Sequence, residues 1–155
     1  MVLATLCHIR KNGKTLMMHR AKNPKDIHLD KWLGLGGKME SGESPEDCVI
    51  REVREESGLR ISNPRLRGII TFPSFGGHGN TDDWYIFVFT ATSFSGKLKG
   101  SREGRIQWIE DKKLLRLNMW EGDRIFIKWL DKDRFFSAKL TYKNEKFVGH
   151  TVKFY

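Results

Sequence analysis

The most informative segment of the chain covers residues 37–59 and reads GKMESGESPEDCVIREVREESGL. Its second half predicts a helix from about Pro45 to Ser57. Ser44 precedes that helix as a typical N-cap, and proline is favoured at the first helical position. Gly58 follows as a typical stop, because glycine readily adopts the left-handed backbone at which helices end. The segment is therefore predicted to be a loop followed by a well-delimited helix.

Three glutamates, Glu52, Glu55 and Glu56, lie on one side of this predicted helix. At 3.6 residues per turn they fall within an arc of about 100°. Like charges four residues apart destabilise a helix, so the cluster requires a compensating partner. Divalent cations are such a partner, because Mg²⁺ binds carboxylate oxygens together with water and substrate phosphates. The alternative is an ordinary solvated helix that carries many charges.

The residues beside these acids suggest how the acids are held. Val49, Ile50 and Val53 form an apolar face that can pack on a sheet and keep the acids at its edge. Arg51 directly precedes the cluster and could brace Glu43 or another acid from a second layer. The helix is therefore predicted to be buried on one face and acidic on the next.

Short segments rich in aromatic and β-branched residues predict strands on both sides of this helix. They cover residues 2–10, 15–20, 65–72, 84–92 and 105–109, with a closing hairpin of residues 135–142 and 147–155. A second, amphipathic helix is predicted at residues 121–130, loops at 21–31 and 76–80, and a short glycine-rich segment at 32–38. This pattern predicts one α/β domain, residues 1–155, with a mixed sheet between helical layers.

The composition limits the partners and the compartment that we expect for this chain. The net charge is +9, from 28 Lys and Arg against 19 Asp and Glu. Such a field attracts polyanions, either nucleic acid or phosphorylated small molecules, although scattered surface charge also serves solubility alone. Cys7 and Cys48 have no metal-binding or redox spacing, which favours reduced thiols in a cytoplasmic protein. No apolar run approaches the length of a membrane span, so we expect no membrane partner.

The spacing within residues 37–59 resembles a known family. Gly37, five residues, Glu43, seven residues and then REVREESGL at residues 51–59 reproduce the complete Nudix box. The chain is therefore identified as similar to the Nudix hydrolases. That resemblance implies a Nudix-type α/β/α sandwich with a central mixed β-sheet, in which the box forms a loop, a helix and a second loop.

The resemblance also implies a metal-dependent site. Members of the family use Mg²⁺ or Mn²⁺, which neutralises phosphate charge and aligns the attacking water. Carried over by position, the metal-binding acids are Glu52, Glu55 and Glu56, the backbone carbonyl ligand is on Gly37, and the supporting pair is Glu43 and Arg51.

Beyond the box, the chain resembles the MutT group and its oxidised-purine nucleoside triphosphatases. Glu103 matches an extra acid that contacts metal or acts as a base. Trp120 matches a tryptophan that stacks on the purine, and Asp123 an acid that reads the edge of the base. Lys38 and Phe72 are further candidates for substrate contact. Two positions depart from that group: Leu33 replaces an asparagine that contacts the base, and Gly122 replaces the first of two pocket acids.

These candidates also have simpler interpretations. Trp120 can be a core anchor at a helix start, and Asp123 can serve the first turn of that helix. Glu103 can be an exposed loop acid. His78, in the glycine-rich loop, can face solvent or touch phosphate.

The resulting functional hypothesis is a Mg²⁺-dependent pyrophosphohydrolase. It would convert a nucleoside triphosphate, with 8-oxo-dGTP among the candidates, to a monophosphate and pyrophosphate. The alternatives are ADP-ribose, a dinucleoside polyphosphate or an RNA 5′ end as substrate; Pro73 lies near a proline that ADP-ribose-hydrolysing members carry. A non-catalytic nucleotide-sensing domain is a further alternative, against which the intact acids argue. We expect a monomer or a homodimer.

Overall fold

The computed structural model describes residues 1–76, 79 and 81–155. Within these residues the chain forms eleven strands and three helices. The strands are β1 (Val2–Lys11), β2 (Lys14–Arg20), β3 (Trp32–Leu33), β4 (Leu35–Lys38), β5 (Arg60–Ser62), β6 (Arg65–Phe72), β7 (Trp84–Ala91), β8 (Ser93–Ser95), β9 (Gly104–Glu110), β10 (Phe136–Lys143) and β11 (Lys146–Phe154). The helices are α1 (Pro45–Ser57), α2 (Asp111–Leu114) and α3 (Glu121–Trp129). His78 lies outside the described residues.

Nine of these strands join in one sheet, in the order β11-β10-β6-β7-β1-β2-β3, with β4 paired to β1 and β9 paired to β2. The pairs β1–β7 and β6–β10 are parallel. The other pairs in the sheet are antiparallel. The predicted mixed sheet is therefore confirmed.

Helices α1 and α3 cover opposite faces of the sheet. Side chains alternate between the two faces of a strand, and in β7 Phe89 joins the core beneath α1 while Val88 joins the core beneath α3. Val49 and Val53 of α1 are fully buried in the first core, as predicted, and Phe126 of α3 is buried in the second. These two layers confirm the α/β/α sandwich.

The local signals around α1 act as predicted. The Ser44 hydroxyl accepts the backbone N–H of Asp47, and the Asp47 carboxylate accepts the N–H of Ser44, which completes a capping box. Gly58 ends the helix with φ +80°. A Cβ at this glycine would lie 2.7 Å from the carbonyl oxygen of Lys97, so both backbone angle and space exclude a side chain.

Some short elements were not predicted. Residues 32–38 form the two short strands β3 and β4, and β5 pairs with β8 in a separate two-stranded sheet. Strands of two to four residues have too few positions to show a periodic pattern. Among the described residues, no helix has the length and apolar character needed to cross a membrane.

Candidate active site

A cavity of about 500 Å³ opens between the box helix, the sheet and α3. We call Gly37 and the carboxylates of Glu52, Glu56 and Glu103 the acidic wall. The aromatic wall consists of Phe72, Phe75, Trp120, Asp123 and Tyr142. Nine predicted site residues line this cavity: Leu33, Gly37, Lys38, Glu52, Glu56, Phe72, Glu103, Trp120 and Asp123. The other three, Glu43, Arg51 and Glu55, lie outside the lining.

Strand β4 brings the backbone of Gly37 against the helix. It pairs with β1, so that Gly37 lies opposite Thr5. A Cβ at Gly37 would lie 2.3 to 2.6 Å from the carboxyl group of Glu52. A side chain at Gly37 would therefore displace the Glu52 carboxyl group from this position.

Arg51 connects the loop before the helix to the acids on it. Its Nε donates to Glu43 Oε1 at 2.5 Å and its Nη2 to Glu43 Oε2 at 3.0 Å, a bidentate pair. Its Nη1 donates to Glu52 at 2.9 Å and to Glu55 at 3.3 Å. The bonds from Arg51 lower the pKa of Glu43 to about 2. Arg51 thus holds the loop and two of the box acids in one arrangement.

Burial, with a smaller effect of neighbouring carboxylates, raises pKa values in the acidic wall. Burial, followed by the charges of Glu103 and Glu52, raises the pKa of Glu56 to about 9, although Gly36 and Arg20 oppose the shift. Burial also raises the pKa of Glu52, against the opposing bond from Arg51. Glu52 and Glu56 are largely shielded from water, and the carboxylates repel one another. A bound cation would reduce that repulsion.

The donor atoms fit a hard divalent cation by type. Carboxylate and carbonyl oxygens are the ligands that Mg²⁺ and Mn²⁺ prefer. In the described part of the chain, no three acidic, histidine or cysteine side chains are already placed to enclose an ion. Two carboxylates of the acidic wall already accept hydrogen bonds from arginine: Glu52 from Arg51 and Glu103 from Arg20, each at 2.9 Å. A bound cation would replace or share these guanidinium contacts.

Glu103 and Glu55 are the more exposed acids. Glu103 directly precedes β9 and has a side chain 49% exposed, yet it lines the cavity, so it is both a surface acid and part of the acidic wall. The Glu55 side chain is 60% exposed and faces Arg51 rather than the cavity.

The aromatic wall is an edge-to-face cluster around Trp120. The ring centroid of Trp120 lies 5.4 Å from that of Phe75 and 5.5 Å from that of Tyr142, both near right angles. Phe72 lies 5.6 Å from Phe75. Trp120 is 7% exposed and belongs to the core, as its simpler interpretation predicts, and it also lines the cavity, where stacking on a base stays a prediction.

Asp123 is the buried acid of this wall. It lies in the first turn of α3, where the side chain at the N-cap position, Trp120, makes no capping bond. Burial raises the pKa of Asp123 to about 7, while the charges of Arg124 and Lys31 partly oppose the shift. No residue that the structure describes donates a hydrogen bond to its carboxyl group. Its polar atoms are therefore free to pair with a ligand in the cavity.

Gly122 lies against the side chains of Leu140 and Tyr142. A Cβ there would lie 2.4 Å from Leu140 and 2.7 Å from the Tyr142 hydroxyl. The Gly122 N–H donates to that hydroxyl at 2.7 Å. Tyr142 therefore occupies the space that a side chain at position 122 would need.

Among the cavity residues that were not predicted from the sequence are three whose side chains make hydrogen bonds at the site: Arg20, His28 and Tyr142. Arg20 ends a predicted strand, where one more basic residue carries no signal of its own. His28 lies in a polar loop, and Tyr142 lies in the closing hairpin, far along the chain from every other site residue. Only the tertiary fold brings them to the cavity.

The chain is similar in sequence to known proteins. The family model described as NUDIX domain matches residues 2–130. An uncharacterised Nudix hydrolase, YvcI, of Bacillus subtilis is 36% identical over 129 residues, covering 83% of this chain and 78% of that protein. An oxidized purine nucleoside triphosphate hydrolase of Danio rerio is 33% identical over 151 residues, covering 97% and 89%.

A solved structure gives the same result at the level of the whole fold. The crystal structure of a mutator MutT protein from Bacillus halodurans superimposes with a TM-score of 0.86 at 29% identity, covering 99% of this chain and 98% of that one. With the box, the sandwich and the cavity acids in place, the chain belongs to the Nudix hydrolase family.

Proposed function

We propose that this enzyme hydrolyses a purine nucleoside triphosphate to the monophosphate and pyrophosphate. The observation that carries the proposal is the continuity of the cavity, in which one space touches both the acidic wall and the aromatic wall. A volume of about 500 Å³ is in the range of small-molecule sites. The phosphates would lie at the acids and the base at Trp120.

At the acidic wall, the residues that would hold Mg²⁺ or Mn²⁺ are Glu52, Glu56, Glu103 and the carbonyl of Gly37. The cation, when bound, supplies charge neutralisation at the phosphates and lowers the pKa of water. Arg20 lines the same space and would add a fixed positive charge near the phosphates. Lys38 also lines it and could contact the phosphate chain. Glu55 and the Arg51–Glu43 pair would hold this arrangement from outside.

At the aromatic wall, Trp120 would stack on the base and Asp123 would pair with its edge. A carboxyl group with a pKa of about 7 exists in both protonation states near neutral pH. It can therefore accept from, or donate to, the edge of a purine. Leu33 is apolar where related enzymes have an asparagine, so fewer polar groups read the base. We expect weaker discrimination between normal and oxidised purines than in those relatives.

The test is a product-release assay across dGTP, 8-oxo-dGTP, dATP, ADP-ribose, a dinucleoside polyphosphate and triphosphorylated RNA. We expect pyrophosphate and a nucleoside monophosphate from the purine triphosphates, with Mg²⁺ or Mn²⁺ present and no turnover in EDTA. Preferential cleavage of ADP-ribose, a dinucleoside polyphosphate or RNA would replace the substrate assignment. Full turnover in metal-free buffer would contradict the proposed chemistry itself.

A further inference from the structure

The loop of residues 21–31 lies beside both walls of the cavity. Its base is closed by two backbone bonds, from the N–H of Arg20 to the Lys31 carbonyl at 2.9 Å and from the N–H of Asp30 to the Arg20 carbonyl at 2.6 Å. Inside it, the N–H of Leu29 donates to the Asp26 carbonyl at 3.0 Å and that of Lys31 to His28 at 2.8 Å. The loop has no regular secondary structure, but backbone hydrogen bonds connect its residues.

Asp26 is the polar centre of this loop. Its side chain is 9% exposed. One carboxylate oxygen accepts from Arg20 Nε at 2.7 Å, and the other accepts from the backbone N–H of His28 at 3.0 Å. Burial alone would raise the pKa of Asp26, but the bonds from Arg20 and His28 outweigh it and lower that pKa. Asp26 is thus an ionised carboxylate with a partner on each oxygen.

One of these two partners, Arg20, also contacts the acidic wall. With its Nε held by Asp26, Arg20 directs Nη1 to Glu103 at 2.9 Å. A guanidinium is planar, so fixing Nε fixes the direction of its other nitrogens. The position of Arg20 at the acids therefore depends on Asp26.

The other partner, His28, contacts the aromatic wall through its side chain. The indole Nε1–H of Trp120 donates to His28 Nδ1 at 2.8 Å. Because Nδ1 accepts this bond, the proton of the neutral ring is on Nε2. Burial, followed by the charge of Arg20, lowers the pKa of His28 to about 4, so the ring is neutral at physiological pH. The His28 ring also stacks on Phe75 at 6.2 Å.

We propose that Asp26 and His28 are positioning residues that hold, from one loop, the guanidinium of Arg20 at the acidic wall and the indole of Trp120 at the aromatic wall. The chain of bonds runs without a gap from Trp120 through the loop to Glu103. The effect on substrate rests on the proposed function, in which Trp120 stacks on the base. The indole has a single N–H, so the bond to His28 fixes the rotation of the ring.

A matched pair of variants at His28 tests the hydrogen bond between His28 and Trp120. His28→Asn keeps an acceptor oxygen where Nδ1 stands, whereas His28→Leu has the same shape without an acceptor. The readouts are the Trp120 indole N–H resonance of the substrate-free protein, assigned with Trp120→Phe, and the steady-state constants for purine triphosphates. Lys25→Ala, an exposed position in the same loop, is the control.

For His28→Leu we expect a shifted and faster-exchanging indole N–H and a KM raised roughly two- to tenfold, the scale of one hydrogen bond. The value of kcat should stay within about twofold, since the acids are untouched. His28→Asn should restore most of both signals. An indole resonance unchanged in His28→Leu, or equal defects in both variants, would overturn the assignment of His28.

Asp26→Asn tests the shared carboxylate. It keeps the shape and one acceptor oxygen but cannot accept at both positions, so kcat should fall and KM should rise together, unlike the KM change alone in His28→Leu. A variant that only melts earlier, with both constants unchanged, would show that Asp26 is merely structural.

These readouts separate the two proposals. The indole resonance is measured without nucleotide. A shifted and faster-exchanging resonance in His28→Leu therefore supports the positioning role whatever the substrate is. If the resonance changes and KM does not, the positioning role stands and the assignment of the base to Trp120 fails.

Discussion

The acidic wall takes two of its three carboxylates from one helix of 13 residues and its glycine from an adjoining strand of four residues. The aromatic wall takes its side chains from β6, the loop that follows β6, the N-cap and first turn of α3, and β10. Apart from Glu103, the first wall is local in sequence and depends on helical spacing. The second is assembled from segments some 70 residues apart, such as Phe72 and Tyr142, which lie 6.4 Å apart between ring centroids.

The difference indicates a division of tasks. A fixed spacing of acids on a helix places charge reproducibly, and the same charge arrangement serves any phosphoanhydride. Aromatic and polar side chains that come from separate elements can be changed one at a time without altering the spacing of the acids. Substitutions should therefore affect turnover at the acidic wall and substrate affinity or choice at the aromatic wall.

The largest expected effect is at the acidic wall. Glu56→Gln should lower kcat by at least about 100-fold, the scale for loss of a group that stabilises charge. The fold should persist, because glutamine has the shape of the protonated acid that the raised pKa favours in the absence of a cation. Steady-state kinetics and thermal unfolding measure this, with Glu46→Gln as the control on the exposed first turn of the same helix. Near-normal turnover would mean that the reacting phosphate lies elsewhere.

The matching change at the aromatic wall is Trp120→Ala. Stacking on a base contributes about 1–3 kcal/mol and tolerates any purine. We therefore expect KM to rise for all purine triphosphates together, by roughly fivefold to 150-fold, with a smaller change in kcat. Trp108→Ala removes a tryptophan that packs on Phe94 outside the cavity lining and controls for lost packing. If kcat fell as in Glu56→Gln, the two walls would not have separate tasks.

Asp123→Asn tests the aromatic wall through the pH dependence of protein stability. The folded-state pKa is raised from 3.8 to about 7, so the unfolded chain loses this proton first as pH rises. The native state thereby loses stability between about pH 4 and pH 7, and the asparagine variant escapes that loss. Its melting temperature should exceed that of the parent at pH 8 and not at pH 4.

The same variant should reorder the purine substrates by several-fold in kcat/KM, since an amide pairs differently from a carboxyl group. Glu121→Gln, an exposed acid in the same helical turn, is the control. An equal stability gain at both pH values would contradict the raised pKa.

The smallest expected effect concerns Tyr142→Phe. This change removes the acceptor of the buried Gly122 N–H and should lower the free energy of unfolding by about 1–3 kcal/mol. Denaturant titration measures it. In the described structure the Tyr85 hydroxyl makes no hydrogen bond, so Tyr85→Phe is a matched control. Equal losses in both variants would show that this bond contributes nothing specific.

Much of the fold was predictable because its signals are local. The capping box, the first-turn proline and Gly58 delimit α1 within the segment itself. Asn12 and Gly13, with φ of 52° and 71°, form a two-residue turn between β1 and β2, which is the turn that an Asn-Gly pair favours. The short pairs β3–β2 and β5–β8 were missed, because a strand of two or three residues is stabilised by its partner rather than by its own pattern.

By itself, the sequence determined the acid spacing, the sandwich layers and the loop–helix unit that carries the box. Each depends on periodicity or backbone preference, which acts over a few neighbouring residues. The tertiary structure alone decided which acids face the cavity, leaving Glu55 against Arg51 and outside it. It also brought His28 to Trp120, 92 residues apart, and Tyr142 to Gly122. Contacts of that kind follow from how the elements pack, and no local pattern encodes them.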